Sequence, residues 1–426
     1  MAENPRAVAV RLILRTVQDG SYTNLLLDQT LAQTDLRPAD KRLCTQIFYG
    51  VIERMLTLDH VLGCYAKKPP EPVIRCILYS GLYQLLYCDR IPDSAAVNET
   101  VALCSIFRKK SASGFVNAVL RGFLRDDKRI REPEDPLLAR QVRYSVPAEL
   151  ISAVTQDLGE ETADAFFAQA LLPPPVTIRR NPLRGSIEAL APLAPEPCPG
   201  AEEAYFLRGV DAAHTEAFRK GLYHVQDLAP QICCKLLGAQ PGETVLDVCA
   251  APGGKTFTIA EMMENRGTVY AFDLHPKRVK LIADGAVRLG LSCITAAVQD
   301  ARKPREDMPA ADRILCDVPC SGYGVIRRKP EIRYQPLAAS ERLPEIQYAI
   351  LENAARYLKP GGTLVYATCT ILRRENEAVV QRFLEAHPEF DPVPLTELDR
   401  QEGWITFTPS AGDCDGFFAA RLRRHA

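Results

Sequence analysis

From Thr244 onward, short apolar runs alternate with longer stretches of helical spacing, and this alternation restricts the fold of the chain more than any other feature. The runs cover residues 244–249, 268–273, 293–298, 313–317 and 363–367. Their length and near-continuous apolar character suit strands buried on both faces. Amphipathic stretches such as 277–289 fall between them. Parallel neighbours need a crossover that covers the sheet, so alternating strand and helix patterns predict a doubly wound parallel sheet. Two later runs, 404–407 and 417–422, are expected to add an antiparallel edge.

In such a sheet, ligands bind beyond the carboxyl ends of the strands. The first strand runs into Cys249-Ala250-Ala251-Pro252-Gly253-Gly254-Lys255-Thr256. The second ends at Asp273, and Asp300 follows the third. The fourth runs into Asp317-Val318-Pro319-Cys320-Ser321-Gly322, and the fifth into Ala367-Thr368-Cys369-Thr370. Two thiols, several carboxylates and a glycine turn are therefore expected in one crevice. Glycines at Gly253 and Gly254 let the backbone approach a ligand closely, and a helix starting there favours negative groups. The pattern is neither the dinucleotide fingerprint nor the phosphate loop, which disfavours NAD and ATP. Asp273 stands where an acidic residue accepts from ribose hydroxyls, and Asp300, after the third strand, is expected to bind an adenine amino group. A nucleoside held without a pyrophosphate signature points to S-adenosylmethionine. The alternative for both aspartates is a turn or helix-capping role. Lys255 would orient either the methionine carboxylate or Asp317, and Arg278 would reach the cofactor or merely cover the surface.

Upstream, residues 1 to about 130 read as helix throughout. Val10, Ile13, Leu14 and Val17 share one helical face, as do Val97, Val101 and Cys104, and again Val116, Val119, Leu120 and Phe123. Short amphipathic helices without strand patterns predict a compact bundle. The expected organisation is a helical domain at 1–135, a helical connector at 136–172, a small mixed α/β region at 173–235 opened by Pro173-Pro174-Pro175, and the α/β domain at 236–426. The fourteen cysteines include no metal-type CxxC pair, so most read as small core residues of a reducing compartment and no metal is expected. No apolar run approaches the roughly 18–20 residues that span a bilayer. Residues 1–6 carry no signal-peptide pattern, and the expected location is the cytoplasm. The net charge of −1 excludes a simple polycation. Residues 1–140 nevertheless hold 20 basic against 16 acidic side chains, and basic clusters at 108–110, 128–131 and 327–329 suit a phosphate backbone. Arg327 and Arg328 are the candidate phosphate contacts beside the thiols. Nothing demands more than a monomer.

The runs VLDVCAAPGGKT (245–256), DVPCSGYG (317–324), RRKPEI (327–332) and TLVYATC (363–369) resemble the RNA cytosine-C5 methyltransferases of the RsmB/NOL1/NSUN group. The segments RIPDSAAVNE (90–99) and GFVNAVLR (114–121) resemble the NusB-like RNA-binding domain. Together they cover essentially the whole chain and are similar to the RsmB branch, which acts on 16S rRNA at cytosine 967 in conventional rRNA numbering. The resemblance implies a Rossmann-like methyltransferase domain behind an all-α NusB-like domain. It implies S-adenosylmethionine as cofactor and 16S rRNA, unassembled or in an early particle, as partner. It also implies Cys369 as nucleophile, Cys320 as an aid to thiolate release and Asp317 as the contact to the base edge. Sequence order alone does not say which cysteine attacks; in DNA cytosine methyltransferases it is the one of the Pro-Cys motif, and the presence of both favours the RNA class. Such chemistry needs a thiolate because cytosine C5 is a poor nucleophile until a thiolate adds at C6. The base must also leave its stack to be reached. Thr370 stands where the family usually has Ser, and Pro230 where Ser is common; these departures bear on positioning only.

Overall fold

The apolar residues of the amino-terminal region recur three and four positions apart, so each helix there has one stripe to bury. The computed structural model describes residues 3–19, 23–409 and 413–426; residues 1–2, where the stretch read for a targeting signal begins, lie outside them. The chain divides into two units, one of residues 1–171 with 328–335 and one of 172–327 with 336–426.

The first unit contains α1 (Pro5–Asp19), α2 (Thr23–Ala32), α3 (Pro38–Glu53), α4 (Met55–Tyr65), α5 (Pro72–Tyr87), α6 (Asp93–Ile106), α7 (Ser113–Arg125), α8 (Pro136–Tyr144), α9 (Ala148–Leu158) and α10 (Glu160–Gln169). Helix α5 is buried at Ile74 and from Cys76 through Leu85, and it packs against α1, α3, α4, α6 and α7. Ile13, Phe48, Leu78, Leu120 and Phe123 are fully buried in this core, whereas Val17, near the end of α1, is about half exposed at 49%. Helix α8 and the residue after it are tied to α4: Thr57 donates to the Val142 carbonyl at 2.6 Å and the Leu56 amide donates to Ser145 Oγ at 3.0 Å. Residues 328–335 join this unit from far along the chain. Arg333 is fully buried there and donates to the carbonyls of Glu53 and Ala170 at 3.0 and 3.3 Å. The Tyr334 hydroxyl donates to the Ile52 carbonyl at 2.7 Å.

The second unit begins with a small antiparallel sheet of β1 (Val176–Arg180), β2 (Glu196–Pro197), β3 (Ala204–Leu207) and β4 (Tyr223–Val225), ordered β2-β3-β1-β4. A short turn of helix, α11 (Glu216–Arg219), precedes β4, and α12 (Leu228–Leu237) follows it. Pro230 lies in the first turn of α12, where no intrahelical amide bond is lost.

The main sheet then forms from β5 (Thr244–Asp247), β6 (Thr268–Asp273), β7 (Ile294–Val298), β8 (Ala311–Asp317) and β9 (Leu358–Thr368), interleaved with α13 (Gly254–Met262), α14 (Pro276–Leu289) and α15 (Leu343–Ala355). After α16 (Glu377–Ala386) come β10 (Phe390–Pro392), β11 (Trp404–Phe407) and β12 (Phe417–Arg424). The order is β10-β12-β9-β8-β5-β6-β7, parallel from β7 through β9. Helices cover both faces: Ile232, Ile259 and Ile282 lie in one core, and Ile350, Val380 and Phe383 in the other. This explains why Val245 and Leu246, which point to opposite faces, are both fully buried. The antiparallel addition differs in detail from expectation. Strand β12 is not an edge strand; it lies between β9 and β10, with β11 also paired to it. The short β10 escapes sequence reading because it ends in Pro392, a residue suited to a sheet edge.

Candidate active site

The turn between β5 and α13 is built on Gly253, whose φ is +112°. A Cβ there would lie 2.4 Å from Cζ of Phe257, so this backbone needs glycine. The Ala250 amide donates to the Phe272 carbonyl at 2.7 Å, fixing the turn against the end of β6. Asp247, fully buried, accepts from the Thr256 hydroxyl at 2.7 Å. Burial pushes its carboxyl up to about 7, against the effect of that hydrogen bond.

At the end of β6, Asp273 is 4% exposed and accepts from the His275 amide at 3.0 Å. Its other oxygen lies 3.3 Å from Arg278, which also donates to the Ala251 carbonyl at 2.8 Å. Arg278 thus joins Asp273 to the glycine turn, a more specific place than surface cover. Asp300 accepts from the Arg302 amide and twice from the Arg302 guanidinium, which holds its carboxyl below the usual range. Both aspartates make the turn bonds that the sequence allowed as an alternative. The position before α13 is glycine and no side chain caps the helix, so its first-turn amides remain available as donors beside the Asp273 acceptor. That donor and acceptor set fits a nucleoside with an anionic tail. Of the two partners considered for Lys255, the structure shows Asp317, at 2.7 Å. Burial works against the lysine's charge, but Asp317 outweighs it and raises the ammonium's pKa.

The thiols follow neighbouring parallel strands. The register pairs Asp317 with Ala367, so the turns after β8 and β9 emerge side by side. Cys320 and Cys369 approach to 3.1 Å between sulfurs, and the Cys369 amide donates to Cys320 Sγ at 3.3 Å. The hydrogen bond with Cys369 is the first cause that raises the Cys320 thiol well above its ordinary value; burial and the charges of Cys369 and Glu375 add to it. Thr370 joins the two turns, its hydroxyl 2.8 Å from that of Ser321. Gly324 allows the closest backbone approach: its amide donates to the Cys369 carbonyl at 3.0 Å, and a Cβ there would meet the Gly416 oxygen at 2.0 Å.

Arg327 is a correction. It was expected to face RNA phosphates, yet it is 7% exposed and donates to the carbonyls of Leu172 and Pro173 at 3.0 and 2.7 Å. Its guanidinium is spent on these backbone acceptors and on Asp413, 3.5 Å away, a use that leaves no mark in the local sequence. Arg328 belongs to the segment that packs in the first unit and is half-buried. In the basic clusters upstream, Lys109 pairs with Glu71 at 2.5 Å and Lys128 with Asp93 at 2.6 Å. Sequence reading missed a buried network beneath the glycine turn. Arg179 of β1 pairs with Glu261 of α13 at 2.8 Å, and Thr258 donates to Gln226 at 2.6 Å. It also missed Glu375 and Asn376, both fully buried beside the thiol turns. The run Glu375-Asn376-Glu377 follows Arg373-Arg374 and so reads as part of a charged surface segment, and its targets lie elsewhere in the chain.

No group of His, Cys, Asp and Glu among the described residues has the arrangement of a metal site, and no described helix is long and apolar enough to cross a membrane. A family model described as 16S rRNA methyltransferase RsmB/F matches residues 234–423, and one described as NusB family matches residues 3–125. A protein of Bacillus subtilis, named a probable ribosomal RNA small subunit methyltransferase B, is 37% identical over 439 residues and is covered to 98%, as is this chain. Among solved structures, PH0851 is 27% identical, with all of both chains covered and a TM-score of 0.83. A methyltransferase homolog protein from Pyrococcus horikoshii is 28% identical, covering 68% of this chain and 99% of its own, with a TM-score of 0.59. The cofactor of this family is S-adenosylmethionine, which agrees with the donor and acceptor set around Gly253 and Asp273. With a NusB-type helical unit, a Rossmann-like methyltransferase unit and a relative that matches it nearly end to end, this chain belongs to the ribosomal RNA small subunit methyltransferase B family.

Proposed function

We propose that this protein methylates C5 of a cytosine in 16S rRNA, with cytosine 967 the expected position, through a covalent bond between Cys369 and C6 of the base. The observation that carries the reading is the pair of thiols 3.1 Å apart, beside a carboxylate held by Lys255. The cofactor, when bound, supplies an electrophilic methyl group on a sulfonium. Everything else falls to the chain. Cys320 keeps its proton, since its surroundings disfavour the thiolate, and donates it toward Cys369. Cys369, the nucleophile that the family resemblance implies, gives its own proton to solvent and adds as a thiolate at C6, which moves electron density onto C5. As addition pushes electron density to N3, N3 takes a proton from solvent, and the carboxylate of Asp317, oriented by Lys255, accepts from that N3–H and from the exocyclic amine. Once C5 carries the methyl group, its proton leaves to solvent, the C6–S bond breaks, and its electron pair returns to Cys369. Cys320 lies close enough to stabilise the departing sulfur by hydrogen bonding or proton transfer.

The glycine turn, Lys255, Asp273, Arg278 and Asp300 would hold the cofactor. The NusB-type unit would read RNA shape and backbone away from the reacting base, with Arg328 among the phosphate contacts. The test is methyl transfer from labelled S-adenosylmethionine to small-subunit rRNA with position-resolved detection, comparing wild type, Cys369→Ala and Cys320→Ala. Activity in wild type, none in Cys369→Ala and a trapped RNA adduct in Cys320→Ala are the expected results. Labelling of tRNA instead would overturn the substrate, and no transfer to any RNA would overturn the reaction.

A further inference from the structure

Two adjacent buried residues grip the two thiol turns, one each. Glu375 ends a short 3-10 turn (Arg373–Glu375), and Asn376 leads into α16. Both are fully buried. Glu375 Oε2 accepts from the Ser321 amide at 2.9 Å and from Gln347 Nε2 at 2.9 Å. Gln347 Nε2 also donates to the Pro319 carbonyl at 3.0 Å. The residues on either side of Cys320 are thus held by one carboxylate and its amide partner. Asn376 does the same for the other thiol: its Oδ1 accepts from the Thr368 hydroxyl at 2.5 Å, and its Nδ2 donates to the Thr370 carbonyl at 3.1 Å. Those are the residues on either side of Cys369. The Tyr366 hydroxyl of β9 donates to the Glu375 carbonyl at 2.5 Å and anchors the dipeptide to the sheet.

We propose that Glu375 and Asn376 are positioning residues with separate duties, Glu375 setting the place of Cys320 and Asn376 that of Cys369. The energetics favour such a role over packing. A fully buried carboxylate is costly when incompletely partnered, and Glu375 Oε1 accepts no hydrogen bond among the described residues. An apolar side chain would fill the same space more cheaply, so the carboxyl group is there for the bonds it makes. The hydrogen bond with Cys369 and burial are the main causes that keep Cys320 a thiol, and Glu375 adds to them in the same direction.

The inference rests on the covalent reading given under Proposed function, and it makes a prediction that separates two steps. Displacing Cys320 leaves attack intact and slows release; displacing Cys369 slows attack itself. A misplacement of about 1 Å costs on the order of 100-fold in rate. The experiment measures single-turnover adduct formation and steady-state turnover with 16S rRNA for wild type, Cys320→Ala, Glu375→Ala, Glu375→Gln and Asn376→Ala. Calorimetric binding of S-adenosylmethionine serves as the check that each variant is folded. Glu375→Ala is expected to accumulate adduct as Cys320→Ala does, with turnover down roughly 100-fold and adduct formation near the wild-type rate. Glu375→Gln, which keeps an acceptor for Ser321, is expected to recover most of the turnover. Asn376→Ala is expected to lose roughly 100-fold in adduct formation. Should Glu375→Ala fail to bind cofactor, Gln347→Ala, which removes the bridge between Glu375 and Pro319 but leaves the bond from the Ser321 amide to Glu375, is the variant that must accumulate adduct. Equal slowing of adduct formation in Glu375→Ala and Asn376→Ala, or an adduct in Cys320→Ala with none in either Glu375→Ala or Gln347→Ala, overturns the inference alone. No adduct in Cys320→Ala overturns the covalent reading and the inference with it.

Discussion

Gly253→Ala should strain the glycine turn in two separable ways. The residue sits at φ +112°, a conformation that costs an L-amino acid about 1–2 kcal/mol. The new methyl would also lie 2.4 Å from Cζ of Phe257. That ring cannot retreat: it is 5% exposed, and a Cβ built at Gly285 on the far side would lie 2.3 Å from the same atom. Overpacking of this kind adds about 1–3 kcal/mol, so the expected total is about 2–5 kcal/mol. The chain's single tryptophan, Trp404, lies in β11 of the same sheet, so its fluorescence in a urea titration reports this unit. Phe257→Leu should remove the collision but not the backbone strain. A double-mutant cycle should therefore show a coupling of about 1–3 kcal/mol between the two positions. If some 2 kcal/mol is relieved by moving the turn, cofactor affinity falls about 30-fold, which calorimetric titration measures. Strict additivity of the two substitutions, or a cost below about 0.5 kcal/mol for Gly253→Ala, would refute the steric account.

Three further outcomes follow from the site. Arg327→Ala should lower the unfolding midpoint, at a cost of about 1 kcal/mol or more, because a buried guanidinium loses its hydrogen bonds to the Leu172 and Pro173 carbonyls, while the salt dependence of RNA binding stays unchanged; a shallower salt slope would restore Arg327 as a phosphate contact. Asp247 has its pKa raised from 3.8 to about 7 in the folded protein. The folded state therefore binds the proton more tightly, and the stability from this group is fully present below about pH 4 and is lost as the pH rises through about 7. Three pKa units correspond to at most about 4 kcal/mol, so the stability gap between wild type and Asp247→Asn should change between pH 5 and pH 8; a gap independent of pH would contradict the shift. Thr370→Ser should keep the bond to Ser321 and leave turnover near wild type, while Thr370→Val should cost about 1 kcal/mol of stability and slow turnover, as read by urea titration and methyl transfer.

Much of this protein was legible in the order of its residues. The alternation from Thr244 placed β5, β6, β7, β8 and β9 within a few residues, because a strand buried on both faces must be apolar throughout and a parallel crossover must follow it. Cys249–Lys255, Asp317, Cys320 and Cys369 were found together because a parallel sheet brings its strand ends to one side. The helical spacing upstream was equally local, and it failed only at Val17, near the end of its helix. What the tertiary structure decided were pairings between residues far apart in sequence. Lys255 took Asp317, 62 residues away, and Arg327 took carbonyls more than 150 residues away. Residues 328–335 left the α/β unit for the helical one, and β12 took an interior place between β9 and β10. Glu375 found Ser321 across 54 residues. Periodicity reports which face of an element is buried, because burial acts on each side chain where it stands. A hydrogen bond to a distant backbone group imposes no period and no neighbouring motif, so its partner becomes known only when the chain is folded.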